Sequence, residues 1–170
     1  ERTHADDRKA VERGKAASRI ELRSTRIKAV LVNEKKEPIA AGSHTWENRF
    51  ENGIWTYTLE DIWTGLQDCY ANMATAVEHQ YGIKITTIGA IGFSAMMHGY
   101  MVFDKDDKLL VPFRTWRNNC ADAAGDKLTE LFKYHIPARW SLAHLYPAIL
   151  PAADHVQDIL AHPSLPSELP

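Results

Sequence analysis

The sequence is poor in the features that would place it in a membrane or an oxidising compartment. Its two cysteines, Cys69 and Cys120, are too few for a disulfide framework in 170 residues. They are predicted to be free thiols in a reducing cytosol. No apolar run approaches the length needed to cross a bilayer, and the opening residues ERTHADDRKAVERGK lack the apolar core of a signal peptide. These absences predict a cytoplasmic protein without a membrane partner.

An excess of one charge sign and the common nucleotide and metal motifs are also missing. The 20 basic and 22 acidic residues give a net charge of -2, so no overall field would attract nucleic acid. Neither G-x-x-x-x-G-K-[ST] nor G-x-G-x-x-G occurs, and the histidines show no zinc-ligand spacing with cysteines or carboxylates. The sequence predicts neither a nucleic-acid partner nor a metal site of this kind.

The composition is that of a folded chain, and its hydrophobic pattern predicts an α/β protein. Hydrophobic residues make up 45% and charged residues 25%. Alternation over residues 18–44, with Pro38 at the start of a strand, predicts a β-meander. From Thr58 the period becomes helical, and Gly82 is a natural stop. The predicted apolar side of this helix, with its two aromatic residues expected in the core, consists of Leu59, Ile62, Trp63, Leu66, Tyr70, Met73 and Val77.

Further elements are predicted after this helix. Residues 83–93 are expected to form a buried strand and residues 99–103 another. A helix over residues 121–134 is closed by Pro137, and one over residues 139–150 is interrupted by Pro147. The apolar side of the first of these two helices is expected to contain Ala124, Leu128, Leu131 and Phe132. The predicted fold is a sheet whose first strands are antiparallel and whose later strands are joined by crossover helices.

The chain is expected to have three parts. Residues 1–17 form a charged N-terminal extension with a short surface helix, whose small apolar side is Ala5, Ala10 and Val11. Residues 18–150 form the folded domain. Residues 151–170 form a proline-rich tail that is expected to be unpacked.

A short turn between the first two predicted strands is a candidate phosphate site. It contains Glu21, the hydroxyls of Ser24 and Thr25, and the basic Lys28. Hydroxyls and backbone N–H groups donate to phosphate oxygens, and an acidic side chain holds hydrated Mg²⁺. The alternative is a hairpin turn with solvated charges.

Two later segments are candidates for a small polar ligand. In Ser94–Gly99 (SAMMHG), His98 beside Gly99 can bond a hydroxyl, although the segment also fits a structural histidine in a methionine-lined turn. In PFRTWRNN, the face of Trp116 suits the C–H side of a sugar and the amide of Asn118 suits its hydroxyls. The alternative is a tryptophan at a helix entrance, with Asn118 or Asn119 as the N-cap.

Taken in order, these segments resemble the N-terminal domain of the FGGY carbohydrate kinases, particularly the xylulokinase-like branch. The family phosphate motif, acid-x-Gly-Thr/Ser-Ser/Thr followed by a basic residue, is similar to Glu21, Ser24, Thr25 and Lys28. The family segments Ser-Gly-Gln-Met-His-Gly and Trp-x-Asp-x-Arg are matched by Ser94, Met97, His98 and Gly99, and by Trp116 and Asn118. The sequence departs from the family at Arg19 and Arg23, which replace glycines, and at Met96 and Cys120. Arg23 is expected to crowd the turn and strain its φ angle.

The resemblance implies a fold, a reaction and its partners. The fold is the actin-like, ribonuclease-H-like α/β domain, here incomplete. The reaction is transfer of the γ-phosphoryl of ATP, with Mg²⁺, to a hydroxyl of a xylulose-like ketose or a related pentose or polyol. Glu21, Ser24, Thr25 and Lys28 are implied for the nucleotide, and Met97, His98, Trp116 and Asn118 for the sugar. The catalytic aspartate and the second domain are implied to lie beyond residue 170, which leaves this chain inactive alone. A non-catalytic sugar-binding or regulatory module on the same fold, and an unrelated α/β protein, are the alternatives.

Overall fold

Three antiparallel strands follow a short helix at the start of the chain. The computed structural model describes residues 4–150. Its first elements are α1 (His4–Glu12), β1 (Ala17–Leu22), β2 (Arg26–Val32) and β3 (Pro38–Thr45). β2 pairs antiparallel with both β1 and β3, so the predicted β-meander is confirmed.

The later elements include further strands and three more helices. The strands are β4 (Arg49–Glu51), β5 (Ile54–Thr56), β6 (Ala90–Ala95), β7 (Gly99–Tyr100) and β8 (Arg114–Thr115). The helices are α2 (Leu59–Tyr81), α3 (Asp122–Phe132) and α4 (Ser141–Ile149). No helix within residues 4–150 has the length and apolar character needed to span a membrane. The predicted proline-rich tail, residues 151–170, lies outside the described residues.

The chain divides into two compact units, and each is assembled from separate stretches of sequence. Unit 1 takes the residues up to Asn48 together with Leu59–Met96. Unit 2 takes Arg49–Thr58 and the described residues from Met97 onward.

Unit 1 is a mixed sheet crossed by one long helix. The strand order is β3-β2-β1-β6, and β6 runs parallel to β1. Helix α2 connects β3 to β6 and packs on β3 and β2, so it is the crossover that a parallel neighbour requires. Helix α1 belongs to the same unit, where the buried carboxylate of Asp7 accepts hydrogen bonds from Asn33 and Tyr81.

Helix α2 begins where predicted, and two residues of its predicted apolar side, Met73 and Val77, are buried. Its buried residues form one row along the helix: Gly65, Cys69, Met73, Val77 and Tyr81. Trp63, expected in the core, is 62% exposed, and Tyr70 is half-buried. This row faces the sheet, and helix and strand approach each other closely at Gly42. A Cβ on Gly42 would overlap the carbonyl oxygen of Cys69 and the amide nitrogen of Met73.

Strand β6 starts later than expected and is exposed. The prediction of a buried strand over residues 83–93 is wrong in both respects, because β6 spans Ala90–Ala95 and all six of its residues are exposed. The chain enters the sheet at Gly89, whose N–H donates to the carbonyl of Ala16. Because β1 itself starts at Ala17, the residues before position 89 have no strand to pair with.

Unit 2 contains two short hairpins and two helices around a small core. β4 pairs with β5 and β7 with β8, while α3 packs on α4. Tyr100 and Val102 are buried, with Leu145 packed against them. The strand predicted over residues 99–103 is shorter than expected, since β7 has two residues. Leu131 and Phe132, predicted on the apolar side of α3, are exposed, and the buried residues of that helix are Ala124, Gly125 and Leu128.

Candidate functional site

The turn between β1 and β2 is a tight two-residue connection formed by Ser24 and Thr25. The N–H of Arg23 donates to the carbonyl of Arg26 over 2.9 Å and closes the hairpin. Among the described non-glycine residues, positive φ angles occur at Lys36, Asn52, His98, Asp107 and Lys133. Arg23 therefore has an ordinary φ angle, and the strain expected from an arginine at the glycine position is absent.

Trp46, which sequence reasoning missed, fixes this turn through two hydrogen bonds. Its indole N–H donates to the carbonyl of Arg23 over 2.6 Å, and its backbone N–H donates to the carbonyl of Thr25 over 3.2 Å. Trp46 is buried and directly follows β3. Because Trp46 bonds the carbonyls of both Arg23 and Thr25, the turn that carries the Ser24 and Thr25 hydroxyls is held in place.

Replacing Trp46 with phenylalanine should loosen this turn while leaving the sheet folded. The indole donor is lost, and one hydrogen bond is worth about 0.5–1.5 kcal/mol. We expect amide hydrogen exchange in residues 22–26 to become about fivefold faster. The matched control is Trp63→Phe on the exposed side of α2, which should leave exchange in the turn unchanged. Equal exchange in both variants would contradict the role given to Trp46.

Two of the four candidate phosphate residues, Glu21 and Lys28, lie in one row across the sheet, and Ser24 and Thr25 lie in the adjoining turn. Glu21 on β1 is directly opposite Lys28 on β2 and, on its other side, Ser94 on β6. Residues paired in this way point to the same face of the sheet. Ser94 is the first residue of the SAMMHG segment, so the first two sequence motifs meet at one position of unit 1.

The electrostatics of this row favour an anion. Arg19 and Arg23 each donate to Oε1 of Glu21 over 3.0 Å. The hydrogen bond from Arg23, together with the positive charges of Arg23, Arg19 and Lys28, holds the pKa of Glu21 below its usual value. A hydrated Mg²⁺ at this carboxylate would lie among like charges, and within residues 4–150 no group of three His, Cys, Asp or Glu side chains is arranged to hold a metal. The positive charges around Glu21 favour direct contact with phosphate oxygens over a Mg²⁺ held by this carboxylate.

The candidate sugar residues belong to unit 2, and the backbone brings two of them close together. Gly99 pairs with Thr115, so His98 and Trp116 flank a paired position at the same end of the β7–β8 ladder. His98 has a φ angle of 64°, a left-handed conformation that histidine adopts more readily than most residues. Trp116 is 43% exposed and Met97 is 73% exposed. The shared pocket predicted for His98 and Trp116 stays a prediction.

Asn118 is engaged by the protein itself. Its Nδ2 donates to the carbonyls of Trp55 and Thr115 over 2.8 and 2.9 Å, and its Oδ1 accepts from the backbone N–H of Trp55 over 2.9 Å. It does not cap α3, whose N-cap is Ala121 without a side-chain bond. Asn118 is buried, at 8% exposure, and both its amide nitrogen and its Oδ1 bond backbone groups of the protein. The sugar contact predicted for Asn118 stays a prediction.

A second polar cluster in unit 2 was not predicted. His144 is 1% exposed, stacks on Tyr100 at 5.6 Å between ring centroids, and has Nδ1 3.8 Å from Sγ of Cys120. Burial, helped by the positive charge of Arg114, lowers the pKa of His144 to about 4. This histidine is neutral at physiological pH. Nothing in the local sequence around His144 indicates its burial, since its partners come from three other segments.

Comparison with known proteins identifies relatives by family and by fold. Residues 19–140 match the N-terminal domain of the FGGY family of carbohydrate kinases. A comparison with curated protein sequences returns no significant match.

Solved structures of several sugar and polyol kinases share this fold. A xyloylose kinase from Brucella ovis superimposes with a TM-score of 0.71 at 17% identity, covering 84% of this chain and 30% of that one. The glycerol kinase of Plasmodium falciparum, solved with ADP, gives 0.64 at 15%, covering 85% and 30%. A ligand-bound xylulose kinase from Lactobacillus acidophilus gives 0.56 at 21%, covering 68% and 22%. The chain thus spans less than a third of the length of each of these proteins.

Proposed function

Because the chain belongs to the FGGY family of carbohydrate kinases, we propose that it supplies part of a site that transfers the γ-phosphoryl group of ATP to a sugar hydroxyl. The acceptor we propose is a xylulose-like ketose or a related pentose or polyol. The chain contributes the phosphate-binding turn in unit 1 and sugar-binding residues in unit 2.

The observation that carries the proposal is the turn held by Trp46. Phosphoryl transfer needs donors fixed in advance around the phosphate oxygens, because positioning and charge stabilisation supply most of the catalysis. Ser24 and Thr25 provide hydroxyl donors on a turn whose carbonyls are bonded to Trp46. Lys28, across the ladder from Glu21, adds a positive charge on the same face. Together they form a small preorganised cradle for the phosphate chain.

For the sugar, the proposal assigns complementary parts to His98 and Trp116. A sugar needs an apolar surface for its C–H side and directional polar groups for its hydroxyls. The partly exposed ring of Trp116 supplies the surface, and a ring nitrogen of His98 bonds a hydroxyl. Met97 adds apolar contact, and Asn118, bonded to Trp55 and Thr115, holds the segment that carries Trp116.

We further propose that this chain does not complete the reaction by itself. It spans 30% of two of the solved kinases and 22% of a third. By analogy with the family, the proposal assigns the aspartate that accepts the hydroxyl proton, and the adenosine-binding loops, to other parts of the whole protein. In this proposal the described residues of this chain bind the phosphate chain and the sugar and orient them.

Calorimetric titration of the chain with ATP, and an ADP-release assay with a panel of ketoses, pentoses and pentitols, test the proposal. We expect measurable ATP binding and no sugar-dependent ADP release. Thr25→Ala should weaken ATP binding about tenfold, since a hydrogen bond to a charged group is lost. Thr64→Ala, an equivalent change at an exposed position of α2, is the control and should bind normally.

Two results would contradict the proposal in different ways. Sugar binding without any ATP binding would favour the non-catalytic sugar-binding module. Robust sugar-dependent turnover by the chain alone would show that a proton acceptor lies within it.

A further inference from the structure

We propose that Arg19 and Arg23, oriented by Glu21, form an anion site that takes the phosphate chain directly, without a divalent cation between Glu21 and the phosphate. This inference rests on the proposed nucleotide site, which it deepens by naming its charge preference. It gives a role to the two arginines at which the sequence departs from the family glycines.

The sheet face that carries Glu21 is strongly basic at the hairpin end. Arg19 and Glu21 lie two residues apart on β1, and Lys28 and Arg26 lie two residues apart on β2, with Lys28 opposite Glu21. Arg23 contacts Glu21 and so lies on the same face. A single carboxylate thus shares this face with four basic side chains, although the whole chain has a net charge of -2.

The exposure of these side chains decides which group an approaching ligand meets. The side chain of Glu21 is 20% exposed, whereas those of Arg19 and Arg23 are 65% and 71% exposed. Both guanidinium groups bond the same carboxylate oxygen, Oε1. The carboxylate of Glu21 is therefore less accessible to a ligand than the two arginine side chains that bond it.

A phosphate chain is the ligand that this surface fits. A guanidinium group presents a planar fork of donors that matches phosphate oxygens, and anchoring by Glu21 reduces the side-chain entropy lost on binding. Arg23 also directly precedes Ser24 and Thr25 in the chain. A polyphosphate reaches more of these donors than a single phosphate does.

Magnesium provides the deciding measurement, because the two mechanisms predict opposite signs. If Glu21 held Mg²⁺, the metal would strengthen polyphosphate binding. If the arginines bind phosphate directly, Mg²⁺ weakens binding, since it neutralises charge on the ligand before the ligand reaches the protein.

The experiment is a calorimetric titration of the full chain with tripolyphosphate, once in EDTA and once in excess Mg²⁺. We expect binding at least about threefold tighter in EDTA. Arg23→Gln and Arg19→Gln should each weaken binding in EDTA about tenfold, since each removes a charge-assisted contact. Inorganic phosphate should bind more weakly than tripolyphosphate.

The matched control is Arg8→Gln, which removes an arginine paired with Glu12 at 2.9 Å and half exposed on α1. Its affinity for tripolyphosphate should equal that of the unchanged chain. Thermal unfolding of all variants checks that the fold is retained. Because Arg19 and Arg23 are both exposed, neither substitution is expected to unfold the chain, and each variant tests the site independently.

Each other outcome overturns the inference, and the outcomes separate it from the proposed function. Tripolyphosphate binding that requires Mg²⁺, or that survives both arginine substitutions, defeats the direct-anion site but leaves the phosphate turn in place. An equal loss in Arg8→Gln would mean general surface attraction, and equal affinity for inorganic phosphate would remove the polyphosphate assignment. Failure of both tripolyphosphate and ATP to bind under either condition defeats the inference and the proposed function together.

Discussion

Gly42→Ala is expected to destabilise unit 1 by about 1–3 kcal/mol. The added Cβ would meet the backbone of α2 at Cys69 and Met73 rather than the end of a flexible side chain. A helix backbone cannot rotate away, so α2 and β3 must separate along the whole row of buried residues between them. Urea unfolding followed by far-ultraviolet circular dichroism measures the loss.

Gly92→Ala is the control for that substitution. Gly92 lies in β6 of the same sheet and has no positive φ angle, and a Cβ added to it would meet no other part of the protein within 4 Å. Its stability should stay within about 0.5 kcal/mol of the unchanged chain. A similar loss in the two variants would mean that the sheet resists any substitution, and that the close approach of α2 to Gly42 is not the cause.

Acidification from pH 7.5 to pH 4 is expected to destabilise unit 2 through His144, by up to about 3 kcal/mol. Burial lowers the pKa of His144 from its ordinary 6.5 to about 4 in the folded chain. Between these two values the unfolded chain binds a proton that the folded chain does not. The stabilising contribution is therefore present above pH 6.5 and is lost as the pH falls towards 4.

His144→Phe isolates this effect from the other titrating groups. Phenylalanine keeps an aromatic ring against Tyr100 but has no ionisable nitrogen. Amide exchange in α4 measures the unfolding free energy of both proteins across this pH range. We expect that of the unchanged chain to fall more steeply with decreasing pH than that of His144→Phe. A parallel pH dependence in the two proteins would show that His144 is not the group responsible.

Patterns within a single element were sufficient to predict the architecture. The alternation in β2 and the helical period from Leu59 depend on neighbouring residues, and both elements appear as predicted. The buried side of α2 was predicted only in part: Met73 and Val77 are buried, but Trp63 is exposed, because periodicity gives weight to large residues. The actual row was selected by a glycine on another strand, Gly42, which no local pattern of the helix contains.

The candidate site was predictable only as separate motifs. The resemblance supplied the motifs and their order, and the register of β1 then showed that Glu21 stands between Lys28 and Ser94. The part played by Trp46 depends on where β3 ends relative to the first turn. The carboxylate of Glu21 is partly covered because Arg19 and Arg23 lie on the same face of the sheet and bond it. The motif alone does not predict how exposed the side chain of Glu21 is.

The bonds between Asn118 and Trp55 set a condition on how the chain acquires its structure during synthesis. The two residues are 63 positions apart, and the amide of Asn118 bonds both the N–H and the carbonyl of Trp55. At a synthesis rate of roughly 5–20 residues per second, Trp55 waits about 3–12 s for this partner to be made. All of α2 and β6 is made in that interval, so unit 1 has its complete sequence before unit 2 can close.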